Sequence, residues 1–396
     1  MKRNILLNPG PATTTDTVKN AQVVPDICPR EEEFGQVMEF VSKELTNLVA
    51  HDDEYTTVLF GGSGTAAVEA MISSVVDKDI LLIINNGAYG KRICEMAEIY
   101  DLNFIEFIGS PVNGIDFIKL EQIISEYNTK KRSIKNKLND YKGIIGRYNV
   151  KNEDDEIKVI SHIAVIHHET TTGILNDIHR VGGLCSKYNI DLIVDGMSSF
   201  AGIPIDMKSS NIKYLASSSN KCIQGMAGVS FVIAEKELLI NTKSIKPRNL
   251  YLNLYNQYEY FQKNYQMRFT PPVQVLYALK QAIIETKAET IERRYERYVK
   301  CCEILWDGLE KLNLKLLVPK EKSSMLLTSI VEPEVKGYNF DSLHNYLYEK
   351  GFTIYPGKVS FKNTFRIANI GDIYPENMRK FIEILEGDNT KIKIIN

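Results

Sequence analysis

Lys221, Asp195 and a glycine-rich turn stand in an order that suits cofactor chemistry. Lys221 follows the small polar residues Ser217-Ser218-Ser219-Asn220 and precedes Gly225 and Gly228. A lysine shielded from water has its ammonium form disfavoured, so the amine becomes a better nucleophile, and Schiff-base formation is the usual use of such a group. Asp195 ends the apolar run Ile190-Asp191-Leu192-Ile193-Val194-Asp195. A buried aspartate needs a cationic or hydrogen-bonding partner. The pyridinium nitrogen of pyridoxal phosphate is one such partner, and a helix N-cap or turn is the plainer role. Gly61-Gly62-Ser63-Gly64-Thr65 lies between a strand pattern and a helical one. Backbone N–H groups at a helix start, with two hydroxyls, make a phosphate site. This is no P-loop, because no Lys-Ser/Thr pair follows, and Ala67 replaces the last glycine of GxGxxG.

The elements that must position these residues are legible as apolar runs. Thr56–Phe60, Ile80–Ile84, Ile163–Ile166, Leu192–Val194 and Val229–Ile233 read as strands, and Thr65–Val76, Gly90–Tyr100 and Ile178–Tyr188 as helices. Continuous Ile/Leu/Val runs alternating with helices predict an α/β sheet covered on both faces, with ligands at the C-terminal strand ends. Val273 to Leu312 reads as one long charged helical stretch, followed by short strands and helices. The expected division is a large domain over 20–272 and a smaller α+β domain built from 1–19 and 273–396. Lys130 to Lys151 carries eight Lys/Arg and one acid, Asp140, ahead of Glu153-Asp154-Asp155-Glu156. That pattern predicts a solvated insertion, the alternative being a basic surface for an anionic partner.

Composition narrows the class. The 396 residues are 44% hydrophobic and 25% charged, with a formal charge of −2. This is an ordinary globular balance without the basic surplus of a nucleic-acid binder. No apolar run is long enough to span a membrane, and the first residues lack a signal-peptide core. The six cysteines form no CxxC pair and the six histidines have no ligand spacing, which argues against a metal site. The expectation is a cytoplasmic enzyme with free thiols and no nucleic-acid, membrane or metal partner.

Phosphate turn, strand-end aspartate and downstream lysine, in that order, resemble the fold type I pyridoxal-phosphate enzymes. The chain is most similar to the class V aminotransferases. Further matching segments are Asn8-Pro9-Gly10-Pro11, Asp26-Ile27-Cys28-Pro29-Arg30-Glu31, Asn86-Gly87-Ala88-Tyr89-Gly90 and His168-Glu169-Thr170-Thr171-Thr172-Gly173. Arg268-Phe269-Thr270-Pro271-Pro272, Gly351 to Lys358, and Phe365-Arg366-Ile367-Ala368-Asn369-Ile370-Gly371 complete the set.

The resemblance implies a mostly parallel sheet of the seven-stranded type and pyridoxal 5'-phosphate as cofactor. It implies that Lys221 holds the cofactor and moves the proton, while Asp195 supports the ring nitrogen. Tyr89 stacks on the ring and Thr171 reaches its phenolic oxygen. Ser63, Gly64, Thr65 and Asn220 take the phosphate, joined by Thr270 across a homodimer interface, and Arg366 binds the substrate's acid group. The implied activity is amino transfer from 2-aminoethylphosphonate to pyruvate. Alternatives are a serine–pyruvate or alanine–glyoxylate type aminotransferase, another pyridoxal-phosphate reaction such as elimination, or a non-catalytic binding protein. The Asp26–Glu31 and Tyr355–Lys358 motifs favour the first. Two departures from the family pattern stand out: an insertion from about Asn128 to Lys158, free to cover the active site or bind a partner, and Ala368 in place of a glycine, which is expected to narrow the pocket beside Arg366.

Overall fold

A computed structural model describes residues 4–151, 158–357 and 359–387. Lys358 and the acidic run Glu153–Glu156 lie outside the described residues. The large sheet has eight strands: β1 (Tyr55–Gly61), β2 (Ile80–Asn85), β3 (Phe104–Ile108), β4 (Ile145–Asn149), β5 (Ile160–Ile166), β6 (Asp191–Asp195), β7 (Ile212–Ser218) and β8 (Val229–Glu235). Their spatial order is β1-β8-β7-β6-β5-β2-β3-β4. The run β7-β6-β5-β2-β3 is parallel, while β8 is antiparallel to both neighbours and β4 is antiparallel to β3.

Period-two alternation sends the side chains of each strand into separate cores. Leu81 and Ile83 of β2 join Ala67, Met71 and Ile72 from helix Gly64–Val75 and Ile93 from helix Ala88–Ile99. Ile80, Leu82 and Ile84 face the other way, against Leu45, Ile123, Val181, Leu276 and Ile283. Both faces are covered, which is why these strands read as unbroken apolar runs.

The smaller unit has its own core, with Leu305, Trp306 and Leu309 packed on Phe352, Phe365, Ile367 and Phe381. Its antiparallel sheet orders Leu327–Val331, Thr364–Ala368 and Tyr355–Pro356. Ile5–Leu6 pairs with Phe352–Thr353, so the chain start is stitched to this unit. The long charged stretch is helical, as two helices, Val273–Glu289 and Ile291–Lys311. Thr290 breaks it with φ +67°, and its hydroxyl accepts from the Arg293 N–H at 3.4 Å.

The eighth strand departs from the seven-stranded expectation, and the charged stretch supplies it. β4 adds to the edge of the sheet rather than covering the strand ends. Glu106, buried on β3, accepts from Asn85 Nδ2 at 2.6 Å and from the Arg147 N–H at 2.7 Å. The Arg147 guanidinium continues to Glu98 at 3.1 Å, and Lys130 pairs with Glu126 at 2.7 Å. Part of the basic surplus is thus matched locally. No helix among the described residues is long and apolar enough to cross a membrane.

Glu106 is the pin of this edge, and Glu106→Ala leaves two partly buried donors without their acceptor. The expected loss is roughly 1–3 kcal/mol of stability. Hydrogen exchange should report lost protection over 145–149, and unchanged protection there sinks this account of the edge.

Candidate active site

The C-terminal ends of β1, β6 and β7 meet around a cavity of about 410 Å3. Its wall brings together Ser63, Gly64, Thr65, Tyr89, Asp195, Asn220 and Lys221. A separate surface cavity of about 570 Å3, flanked by Lys311, Glu332 and Lys362 on the smaller unit, holds no comparable set. Thr171 and Arg366 are buried just outside the cavity wall, and Thr270 is exposed and does not reach it within the protomer.

Helix Gly64–Val75 starts at the cavity with Ser63 as N-cap, and the Ser63 side chain makes no capping bond. Hydroxyl and first-turn N–H groups therefore face the cavity at the positive end of the helix dipole, a setting for a phosphate. The Met197 side chain lies against Gly64, and a methyl there would displace its thioether end. Asn220 holds its amide in place by accepting from Ser218 Oγ at 3.0 Å.

Lys221 Nζ donates to the Pro9 carbonyl at 2.6 Å, and the Ala12 N–H donates to the Asn220 carbonyl at 3.0 Å. The N-terminal Pro-Gly-Pro turn thereby lies over the lysine. Gly10, with φ +133°, leaves room that any side chain would take from Lys221.

Asp195 is 6% exposed, and its Oδ1 accepts from the Met197 N–H at 2.9 Å. Burial pushes its carboxyl up to about 6, with the Met197 N–H opposing and the Glu169 charge adding to the rise. Its second oxygen accepts no donor among the described residues. A buried carboxylate oxygen aimed at a cavity is suited to a cationic N–H. Strand-end carboxylate, neutral phosphate cradle and sheltered lysine together fit pyridoxal phosphate.

Arg366, in the middle of strand Thr364–Ala368, is 1% exposed. Nε donates to the Pro356 carbonyl and Nη1 to the Thr170 carbonyl, both at 3.0 Å. It makes no ion pair among the described residues, and three of its five N–H groups remain. Burial pushes its pKa down, opposed by the nearby Tyr89 and Glu169. Ala368 packs among Ala12, Ile203, Cys222 and Leu327 rather than in the cavity wall, so it does not narrow the cavity.

Three residues here were passed over in the sequence. Arg92 lines the cavity with its guanidinium 4.9 Å from the Tyr89 ring centre, and its i+3 spacing from Tyr89 was the available signal. Met197 was findable as the second residue past Asp195. Glu169 stood only as one letter of the His168–Gly173 motif, because its bond to Tyr89 comes from another element. It is 0% exposed, accepting from the Thr171 N–H at 3.1 Å, Thr171 Oγ1 at 2.6 Å and the Tyr89 N–H at 3.1 Å. Burial pushes its carboxyl up while these donors pull it down. His168 is held between Ser324 Oγ at 2.9 Å and the Ser198 carbonyl at 3.3 Å, and burial pushes it down to about 4.

Residues 145–374 match the family model described as aminotransferase class-V. The chain is 38% identical over 391 residues to a 2-aminoethylphosphonate–pyruvate transaminase of Phocaeicola vulgatus, covering 98% of this chain and 99% of that protein. A protein of the same name from Bacillus cereus is 38% identical over 385 residues, covering 96% of each chain. Among solved structures, an alanine–glyoxylate aminotransferase from Nostoc sp. aligns with a TM-score of 0.84 at 23% identity, over 98% of this chain and 95% of that one.

The raised Asp195 carboxyl makes a prediction for the cofactor-free protein. Between pH 3.8 and about 6 the folded state binds the proton that the unfolded chain has released, so stability falls as pH rises through that window. Asp195→Asn removes the buried charge. The cofactor-free variant should be more stable than wild type at pH 8, by up to about 3 kcal/mol, with the gain vanishing below pH 4. Thermal unfolding across pH reads this, and a variant less stable than wild type at pH 8 contradicts it.

Proposed function

The chain belongs to the aminotransferase class-V family, and from that premise we propose how its residues carry out amino transfer from 2-aminoethylphosphonate to pyruvate. The products are phosphonoacetaldehyde and L-alanine, and the reaction is reversible. The observation that carries the substrate assignment is Arg366, a cation buried at 1% exposure with no ion-pair partner among the described residues. A buried guanidinium with unspent N–H groups is stabilised by an incoming acid. The likeness to the Nostoc structure, at 23% identity, carries the fold and not the substrate.

Bound pyridoxal phosphate supplies an electrophilic carbonyl carbon and a ring that takes up electron density. Lys221 would hold it through Nζ, and that amine, when free, would be the group that moves the proton at the substrate carbon. The Pro9 carbonyl is placed to steady that ammonium between transfers. Asp195 would keep the ring nitrogen protonated through its second oxygen, which accepts no donor among the described residues. Tyr89 would stack on the ring and Thr171 would face the phenolic oxygen. Ser63, Gly64, Thr65 and Asn220 hold the phosphate, joined by Thr270 of the partner subunit. Arg366 clamps the carboxylate of pyruvate or alanine in one half-reaction and the phosphonate in the other, its planar fork suiting both.

Exposure of Thr270 within the protomer supports a homodimer with shared sites. Six free cysteines support a reducing cytoplasm as the enzyme's location.

Half-reactions test this reading. Adding 2-aminoethylphosphonate, L-alanine or L-serine separately to the cofactor-loaded enzyme should convert the visible band to the pyridoxamine form, with aminoethylphosphonate acting at far lower concentration than serine. Conversion by alanine or serine alone hands the substrate to the alanine–glyoxylate type. Absence of any visible band after cofactor addition removes the role given to Lys221.

Arg366→Lys should lower kcat/KM for both the phosphonate and the carboxylate substrate, on the order of 100-fold each. Wild-type efficiency in both half-reactions overturns the assignment. Size exclusion with light scattering should find the smallest competent species to be a dimer, and a competent monomer excludes the shared site.

A further inference from the structure

We propose that Glu289 is a positioning residue that sets Lys221 against the Pro9 carbonyl, by yoking the two arginines that hold the lysine's loop and the turn over its amine. The inference rests on the role given above to Lys221, and goes beyond it by naming what fixes the geometry of that amine.

The yoke begins in the break between two helices. Glu289 closes helix Val273–Glu289, and Thr290, at φ +67°, turns the chain so that helix Ile291–Lys311 starts beside it. Arg294 and Arg297 stand three residues apart on that second helix and so share a face. Arg294 Nε donates to Glu289 Oε2 and Arg297 Nε to Glu289 Oε1, both at 2.7 Å. Their side chains are only 2% and 11% exposed, and Glu289 is the one acid either pairs with among the described residues. Burial pushes the Glu289 carboxyl up, but the two guanidiniums outweigh it and hold the group below its ordinary value.

Each arginine carries the hold to a different segment. Arg294 Nη1 donates to the carbonyl of Cys222, the residue after Lys221, at 2.8 Å. Arg297 Nη1 donates to the Gly371 carbonyl at 3.0 Å and also to that of Ile373. Gly371 pairs with Thr13 in a parallel bridge, and the Asp372 N–H donates to the Thr13 carbonyl at 2.8 Å. The approach is close, since a Cβ on Gly371 would lie 2.7 Å from that carbonyl oxygen. Thr13 follows the Pro-Gly-Pro turn whose Pro9 carbonyl accepts from Lys221 Nζ.

One oxygen of Glu289 thus governs the backbone beside the lysine, and the other governs the acceptor of its amine. A carboxylate suits this place because it offers two acceptors at a fixed spacing and a charge between two cations. An amine that moves a proton depends on its placement, so loosening either segment slows the transfer.

Glu289→Gln keeps the volume but leaves one acceptor oxygen for two Nε–H donors and no charge between the guanidiniums. The first measurement is hydrogen exchange on the full chain without cofactor. Exchange in E289Q should quicken on the order of tenfold at Gln224, whose N–H donates to the Lys221 carbonyl, and at Asp372. Arg294→Lys should loosen Gln224 and spare Asp372, and Arg297→Lys should do the reverse. Unchanged exchange at both amides in E289Q overturns the proposal. So do lysine variants that leave both amides unmoved or move both alike, a result that stands even if E289Q does not fold.

The second measurement counts cofactor-loaded sites by their visible band. Per site, E289Q should lower kcat for 2-aminoethylphosphonate about tenfold and leave KM within about twofold. A merely structural glutamate costs sites rather than rate per site, so an unchanged kcat per site overturns the proposal. A rise in KM alone also overturns it, because the yoke then serves Arg366 instead of Lys221. Failure of the Lys221 assignment looks different: the wild type shows no visible band, while the exchange pattern remains readable.

Discussion

The structure turns on charges kept from water with fewer partners than they need. Asp195, Glu169 and Arg366 are all buried, and the described residues give none of them an ion pair at salt-bridge distance. A charge in a low-dielectric interior is stable only when hydrogen bonds and opposite charges replace its lost solvent. Each is given part of that replacement by the backbone: Met197 N–H for Asp195, Tyr89 and Thr171 N–H for Glu169, and two carbonyls for Arg366. The remainder is left to come from bound molecules. Parallel strands ending at one edge make this economical, because chain turns there present backbone donors and acceptors inward.

Holding those groups in register requires both halves of the molecule. Arg366 stands on the smaller sheet, yet its Nη1 reaches the Thr170 carbonyl in the chain that follows β5 of the large one. Helix Ile291–Lys311 reaches back in the same way. Arg294 donates to the Cys222 carbonyl at 2.8 Å, and the Tyr298 hydroxyl accepts from Gln224 at 2.9 Å and from the Gly371 N–H at 3.0 Å. The loop that carries Lys221 is thereby fixed from outside the sheet, while Pro9 fixes the amine from above. A shift between the two units would move the lysine and the arginine together, which keeps the distance between them a property of packing rather than of loop length.

Much of this was readable in the sequence where a single segment carried the signal. β2 (ILLIIN) and β6 (DLIVD) are buried on both faces, so their apolar runs announced them and placed Asp195 at a strand end. Lys221 stood out by the small residues around it. The missed strands failed for physical reasons. β3 carries Glu106 in its middle, which serves the Arg147 edge, and β7 ends in serines that approach the site. The stretch over 273–312 concealed its break because threonine at φ +67° has no sequence mark of its own. Glu169 was invisible as more than a motif letter, since its meaning lies in a hydrogen bond to Tyr89 that joins the chain after β5 to the start of helix Ala88–Ile99. Local patterns reveal what local physics determines, and the bridging carboxylate is not local.

The division of labour among the cations follows from the phosphate cradle. Ser63, Gly64, Thr65 and Asn220 offer hydroxyls, an amide and helix N–H groups, with no lysine or arginine among them. A phosphate held by neutral dipoles makes no claim on the guanidinium of Arg366. Asp195, for its part, is suited to a ring N–H and needs no arginine either. Arg366 is left as a buried cation whose remaining N–H groups meet no acid among the described residues, fixed in direction by Pro356 and Thr170. A rigid fork of that kind distinguishes an acid from a neutral amine but not a carboxylate from a phosphonate, whose oxygen edges both suit it. On the proposed reading, one arginine would serve both half-reactions, and the choice between the two acids would fall to the rest of the substrate site.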